Sequence, residues 1–100
     1  MEETATEKNN YRLPANNTLQ NLSKLSILED KPIMFDYWTA SLDNDVIIGV
    51  REGGEKLLVK TEDEYTSPIS KIYKVDKEYI IVTENSIYVI TSDVSTKRIS

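Results

Sequence analysis

Between Ile69 and Thr91, apolar and polar residues alternate in three short runs, ISKIYKV, EYIIVT and SIYVIT, broken only by Asp76-Lys77 and Glu84-Asn85. Runs rich in Ile, Val, Tyr and Thr with two-residue breaks read as strands joined by tight turns, so this third of the chain predicts an antiparallel meander. In EYIIVT the apolar positions fall on both faces, Ile80 and Val82 on one, Tyr79 and Ile81 on the other. Such a strand needs cover on both sides, from the rest of the chain or from a partner.

Upstream of the meander the alternation continues. In PIMFDYWTAS, Ile33, Phe35, Tyr37 and Thr39 share one face of a strand while Met34, Asp36, Trp38 and Ala40 share the other. Asp43-Asn44-Asp45 is a turn, and VIIGV follows as a second strand in which Gly49 suggests a bulge or bend. Glu52-Gly53-Gly54-Glu55 predicts a hairpin loop, because glycine accepts positive φ, and KLLVKT is the returning strand. TEDEYTSP is the longest polar break in this region and reads as an exposed loop over 62–67.

Nearer the start the period changes. Leu19, Leu22, Leu25 and Leu28 recur every third residue, close to helical spacing, with Asn17 or Thr18 placed to cap the helix. A helix this short requires docking on the sheet or on another molecule to persist. Residues 1–17 lack apolar periodicity and read as a flexible arm, 18–29 as the helix, 31–92 as the β domain and 93–100 as a fraying tail. About six strands with short connections predict an all-β fold, a small, strongly bent antiparallel β-barrel of the SH3-like or OB-like kind, ahead of an immunoglobulin-like sandwich.

Composition narrows the chemistry. The 100 residues include no histidine and no cysteine, which excludes Ser-His-Asp and Cys-His nucleophilic sites and leaves a zinc site only carboxylates. Asp43-Asn44-Asp45 resembles the start of a calcium loop, but Ile48 stands where glycine is required and Gly54 where the bidentate glutamate belongs. No metal, cofactor or catalytic residue is expected, and the chain reads as non-enzymatic. A net charge of −5 opposes the counterion release that drives nucleic-acid binding, so nucleic acid is a disfavoured partner. No run approaches the length of a membrane span or signal-peptide core, which points to a soluble, cytoplasmic protein.

What remains is recognition of another protein, or self-association. Glu62, Asp63 and Glu64 form the densest acidic cluster, with Tyr65 beside them, and Trp38 is the single tryptophan; these five residues are the expected partner-binding surface. The expected function is a protein–protein interaction module, an assembly component or a regulator of a larger complex. Richness in Asn, Lys, Ile and Tyr is the usage of AT-rich genomes, in keeping with a small phage or viral ancillary protein. Two alternatives stand beside this one. A nucleic-acid-binding barrel would need Lys56, Lys60, Lys71, Lys74 and Lys77 to converge, and an acidic inhibitor would use residues 62–64 to occupy a nucleic-acid-binding surface of another protein.

Overall fold

The computed structural model describes residues 12–99, so most of the expected arm, residues 1–11, lies outside the described part. Among the described residues the chain forms two helices and eight strands: α1 (Asn16–Glu29), β1 (Ile33–Met34), α2 (Trp38–Leu42), β2 (Ile47–Val50), β3 (Lys56–Thr61), β4 (Glu64–Tyr65), β5 (Ile69–Val75), β6 (Glu78–Thr83), β7 (Ile87–Thr91) and β8 (Ser95–Arg98). They make two four-stranded sheets, sheet A in the order β1-β7-β6-β5 and sheet B in the order β4-β3-β2-β8. No helix among these residues is long and apolar enough to cross a membrane.

The meander forms as the alternation predicts, with β5, β6 and β7 antiparallel neighbours and Asp76 at positive φ in the first turn. The barrel does not form. Both sheets are mixed, since β1 runs parallel to β7 and β8 parallel to β2, and neither closes on itself. The physical reason lies in β6 and β7, which are apolar on both faces and therefore require a layer on each side, whereas a barrel wall has only one interior. On one face Ile80, Val82, Ile87 and Val89 pack under Leu22 of α1 and Trp38. On the other, Ile81 and Ile90 meet Ile48 and Leu58 of sheet B and Val46 just before β2, with Tyr37 among them. The result is three layers, α1 on sheet A on sheet B.

Several elements differ from the alternation reading. The strand expected through Thr39 ends at Met34, and the chain turns into α2 because Tyr37, Trp38 and Ser41 are buried at helical spacing. This turn lets the two aromatics enter different cores, Trp38 on the α1 side and Tyr37 between the sheets. In α1, Leu22 is buried and Leu19 and Leu25 flank it, but Leu28 is exposed, since each three-residue step falls about 60° short of a full turn and carries it off the stripe. Neither Asn17 nor Thr18 caps the helix; Ala15 is its N-cap, and the Glu78 carboxylate accepts from the Ala15 amide and the Thr18 hydroxyl instead. Gly49 makes no bulge, because β2 keeps continuous register with β3. The expected 62–67 loop is a tight β3–β4 hairpin, with Thr66 buried and bonded to Leu58. Finally, residues 95–98 of the expected fraying tail pair with β2 as β8.

Candidate docking face

Sheet B has one face on the core, carrying Ile48 and Leu58, and strand alternation turns their neighbours outward. The register sets Ile47 opposite Val59 and Gly49 opposite Leu57 on that outward face, and Tyr65 of β4 stands opposite Val59 from the other side. Beyond β8, Ile99 folds over Gly49, held by its amide bonding to the Val50 carbonyl at 3.0 Å. A β-carbon at position 49 would lie 2.7 Å from Ile99 Cδ1. Glycine is needed here for close approach. Leu57, though turned away from the main core, is 1% exposed, while Tyr65 above it is 51% exposed.

Two shallow depressions adjoin on this side and share Val59 and Thr61. One, of about 340 Å³, lies among Arg51, Leu57, Glu62, Tyr65 and Ile99. The other, of about 570 Å³, runs past Ile47, Ala40, Asp45 and Lys60. Arg51 lies over the Tyr65 ring, 5.9 Å from its centroid, and orients it, while its guanidinium also pairs with Glu55 at 2.9 Å. The Gly53-Gly54 turn, with φ of 97° and 95°, forms the hairpin expected of it and brings Arg51 and Glu55 together.

The five residues expected to form one surface divide between two places. Glu62 and Asp63 form the exposed turn between β3 and β4, with the Asp63 amide donating to the Thr61 hydroxyl. Glu64 is tied to Lys60 at 3.2 Å, so the acid left without an ionic partner among the described residues is the Glu62-Asp63 pair. Tyr65 joins them at the rim of the smaller depression. Trp38 does not: it is 5% exposed and lies on the far side of sheet A. Its indole N–H donates to the Arg12 carbonyl at 2.7 Å, and the Arg12 guanidinium stacks 5.1 Å from its ring. Trp38 anchors the chain entering α1.

Ile47, Leu57, Val59, Ile99 and Arg51 were not singled out as a surface from the sequence. KLLVKT carries apolar residues on both faces, and that double face was the available signal. The lysines of the nucleic-acid alternative are dispersed: Lys60 pairs with Glu64, Lys71 with Glu29 of α1, and Lys74 points to the opposite face of β5 from Lys71. No group of three or more acidic side chains suited to hold a metal ion occurs among the described residues.

These features define a class of molecule, a three-layer, mostly β module whose second sheet presents an apolar, acid-rimmed outward face. No family model, curated protein or solved structure matches the chain. What the molecule does is read from its own surface.

Proposed function

We propose that the chain is a non-enzymatic protein-interaction module that docks a segment of another protein on the outward face of sheet B. The observation that carries this reading is the set Val59, Tyr65 and Ile99, apolar side chains that line the smaller depression, with Ile47 beside Val59 in the adjoining one, which Ala40 of α2 also lines. An aromatic ring half in water, backed by an arginine and a fully buried leucine, is the arrangement of an interface anchor. The rim chooses the occupant. Arg51 and Lys60 are already paired with Glu55 and Glu64, while Glu62 and Asp63 are not paired among the described residues. The segment that fits therefore carries a bulky apolar side chain for the depression and a lysine or arginine beside it for the Glu62-Asp63 turn.

A library of random peptides displayed on phage and selected on the purified chain tests this. The expected survivors pair a large apolar residue with a neighbouring basic one, and their affinity falls about tenfold or more with Tyr65→Ala, as truncation of an interface anchor does. Their affinity also falls with added salt and with the double substitution Glu62→Gln, Asp63→Asn. A selection that enriches nothing, or peptides that bind the Tyr65→Ala and Val59→Glu variants as well as the wild type, would sink the reading. Survivors that are merely basic, and that respond to the acidic substitutions alone, would favour the acidic-inhibitor alternative.

A further inference from the structure

Part of the docking face is already filled by the chain itself. β8 lies along β2 in parallel, with Lys97 opposite Gly49 and Arg98 opposite Val50, and Ile99 follows with its amide on the Val50 carbonyl. Strand alternation puts Lys97 and Ile99 on the outward face. There Ile99 enters the space left by the missing β-carbon of Gly49, its Cδ1 and Cγ2 lying 2.7 and 3.0 Å from where that atom would stand. Ile99 is the one aliphatic residue of 95–99, and lysine and arginine directly precede it. A bulky apolar side chain with a basic residue beside it is the pattern that the depression and its acidic rim ask of a partner.

Little besides this contact and the β2 ladder holds the segment. All four residues of β8 are exposed and none belongs to either core. Among the described residues, none of their side chains forms an ion pair. Val94, just before them, packs against the core between the sheets and is the fixed point about which they can lift. Lifting β8 uncovers the backbone edge of β2 and the hollow at Gly49 together, which are the two requirements for adding a strand: a ladder to pair with and a pocket for a side chain.

The acidic turn sets the direction of such a strand. Ile47 faces Val59, and the Glu62-Asp63 turn follows Thr61, so the acids lie at the end of the sheet where β2 begins and β8 enters. In a strand parallel to β2, the basic residues nearest them are those N-terminal to the apolar one, the order of Lys97, Arg98 and Ile99. We propose, on the docking reading above, that residues 95–99 are an internal occupant of the face. The partner is then an extended segment, basic and then bulky aliphatic, that displaces them and pairs parallel with β2. A partner reaching Glu62 and Asp63 makes an ionic contact that β8 lacks, which lets it compete with a segment tethered at an effective concentration of about millimolar.

The peptides recovered by selection, measured against full-chain variants, test this. They are expected to carry Lys or Arg on the N-terminal side of the apolar residue. Ile99→Ala weakens the internal occupant and is expected to bind them about tenfold more tightly than the wild type. Were Ile99 a fixed wall of the depression, the same change would weaken binding. A second variant holds the segment in place. Val50→Cys with Arg98→Cys sets two cysteines directly opposite one another in a chain that has no others, on strands about 4.8 Å apart, within reach of a disulfide. Oxidised, this variant is expected to bind about tenfold or more weakly and to recover on reduction, with Trp38 emission unchanged as the sign of an intact fold. Weaker binding by Ile99→Ala, or equal binding by the oxidised and reduced forms, would overturn displacement and leave docking on the sheet B face standing. A selection that enriches nothing removes the docking reading itself, and displacement with it.

Discussion

Removing the Glu78 side chain is expected to be among the most destabilising single changes outside the apolar core. Glu78 opens β6 with 2% of its surface exposed, and its carboxylate accepts from the Thr18 hydroxyl, from the Ala15 amide at 3.1 Å and from Arg12 at 2.9 Å. It sits where the first turn of α1 leaves its amides unpaired, so it both caps the helix and answers its dipole. Glu78→Ala strands the buried Thr18 hydroxyl and the Ala15 amide, about 1–3 kcal/mol for each unsatisfied group. Arg12 is half-exposed and adds no more than about 1 kcal/mol. Because the three bonds share one acceptor they are not independent, and a loss of about 3 kcal/mol follows, against total stabilities of about 5–15 kcal/mol for a domain. Glu78→Gln keeps one acceptor oxygen and is expected to lose about half as much. Urea unfolding followed by Trp38 emission is the assay, since Trp38 contacts Arg12 and reports on the same corner. A Glu78→Ala unfolding midpoint indistinguishable from wild type would refute the reasoning. The acid limb supplies a second check. Burial pushes the Glu78 carboxyl up, but the Thr18 hydroxyl, Arg12 and the Ala15 amide together outweigh it and hold it below its ordinary value. Its stabilisation is therefore complete above the unfolded value and lost as pH falls through the folded one, so Glu78→Gln should flatten the decline below about pH 4.

Two further outcomes are expected. Gly49→Ala gains about 0.5–1 kcal/mol of strand preference but pushes Ile99 and Val59, at 2.7 and 3.1 Å from the new methyl group, at an overpacking cost of about 1–3 kcal/mol. The single variant should thus lose stability, and in an Ile99→Ala background the same change should gain it, a reversal of sign that denaturant titration would show. At the other pH extreme, burial, followed by the charges of Glu64, Tyr88 and Asp36, pushes the Tyr37 phenol up to about 12. Stability from keeping Tyr37 neutral is full below the unfolded tyrosine value of about 10 and declines as pH rises through the folded one. Tyr37→Phe should flatten that alkaline decline in urea midpoints, and an unchanged slope would count against the assigned burial.

Local pattern carried the parts of the fold whose partners lie close in sequence. The β5–β6–β7 meander and the Gly53-Gly54 hairpin are read correctly because turns of two or three residues leave each strand only one neighbour to pair with. Long-range pairings leave no such mark. β8 joins β2 in parallel across the chain with all four of its residues exposed, so it shows no apolar alternation to read. Phe35–Leu42 shows the opposite difficulty, since its apolar residues satisfy a strand period and a helical one together, and only the two separate cores for Tyr37 and Trp38 decide between them. The buried role of Glu78 leaves no local mark, because its partners, Arg12 and Thr18, stand 66 and 60 residues away.

The same limits explain why the exposure of Tyr65 and the acidic turn is legible in the sequence while the burial of Trp38 is not. Exposure of a polar turn follows from its own residues, whereas exposure of an aromatic depends on what else folds over it. Counting faces resolves the difference. Two sheets have four faces, and packing them together buries two. One helix of α1's length covers one more, and β6, apolar on both sides, claims that cover through Ile80 and Val82. The fourth face, on sheet B, is left with Leu57 and Val59 turned outward on β3, and only Tyr65, Arg51 and the short hook of Ile99 over them. A solvated fourth face would be expected to read polar at every second position of KLLVKT. It reads apolar at Leu57 and Val59, which is the pattern of a strand written for contact on both sides, and that supports docking there more directly than the charge of the neighbouring turn does.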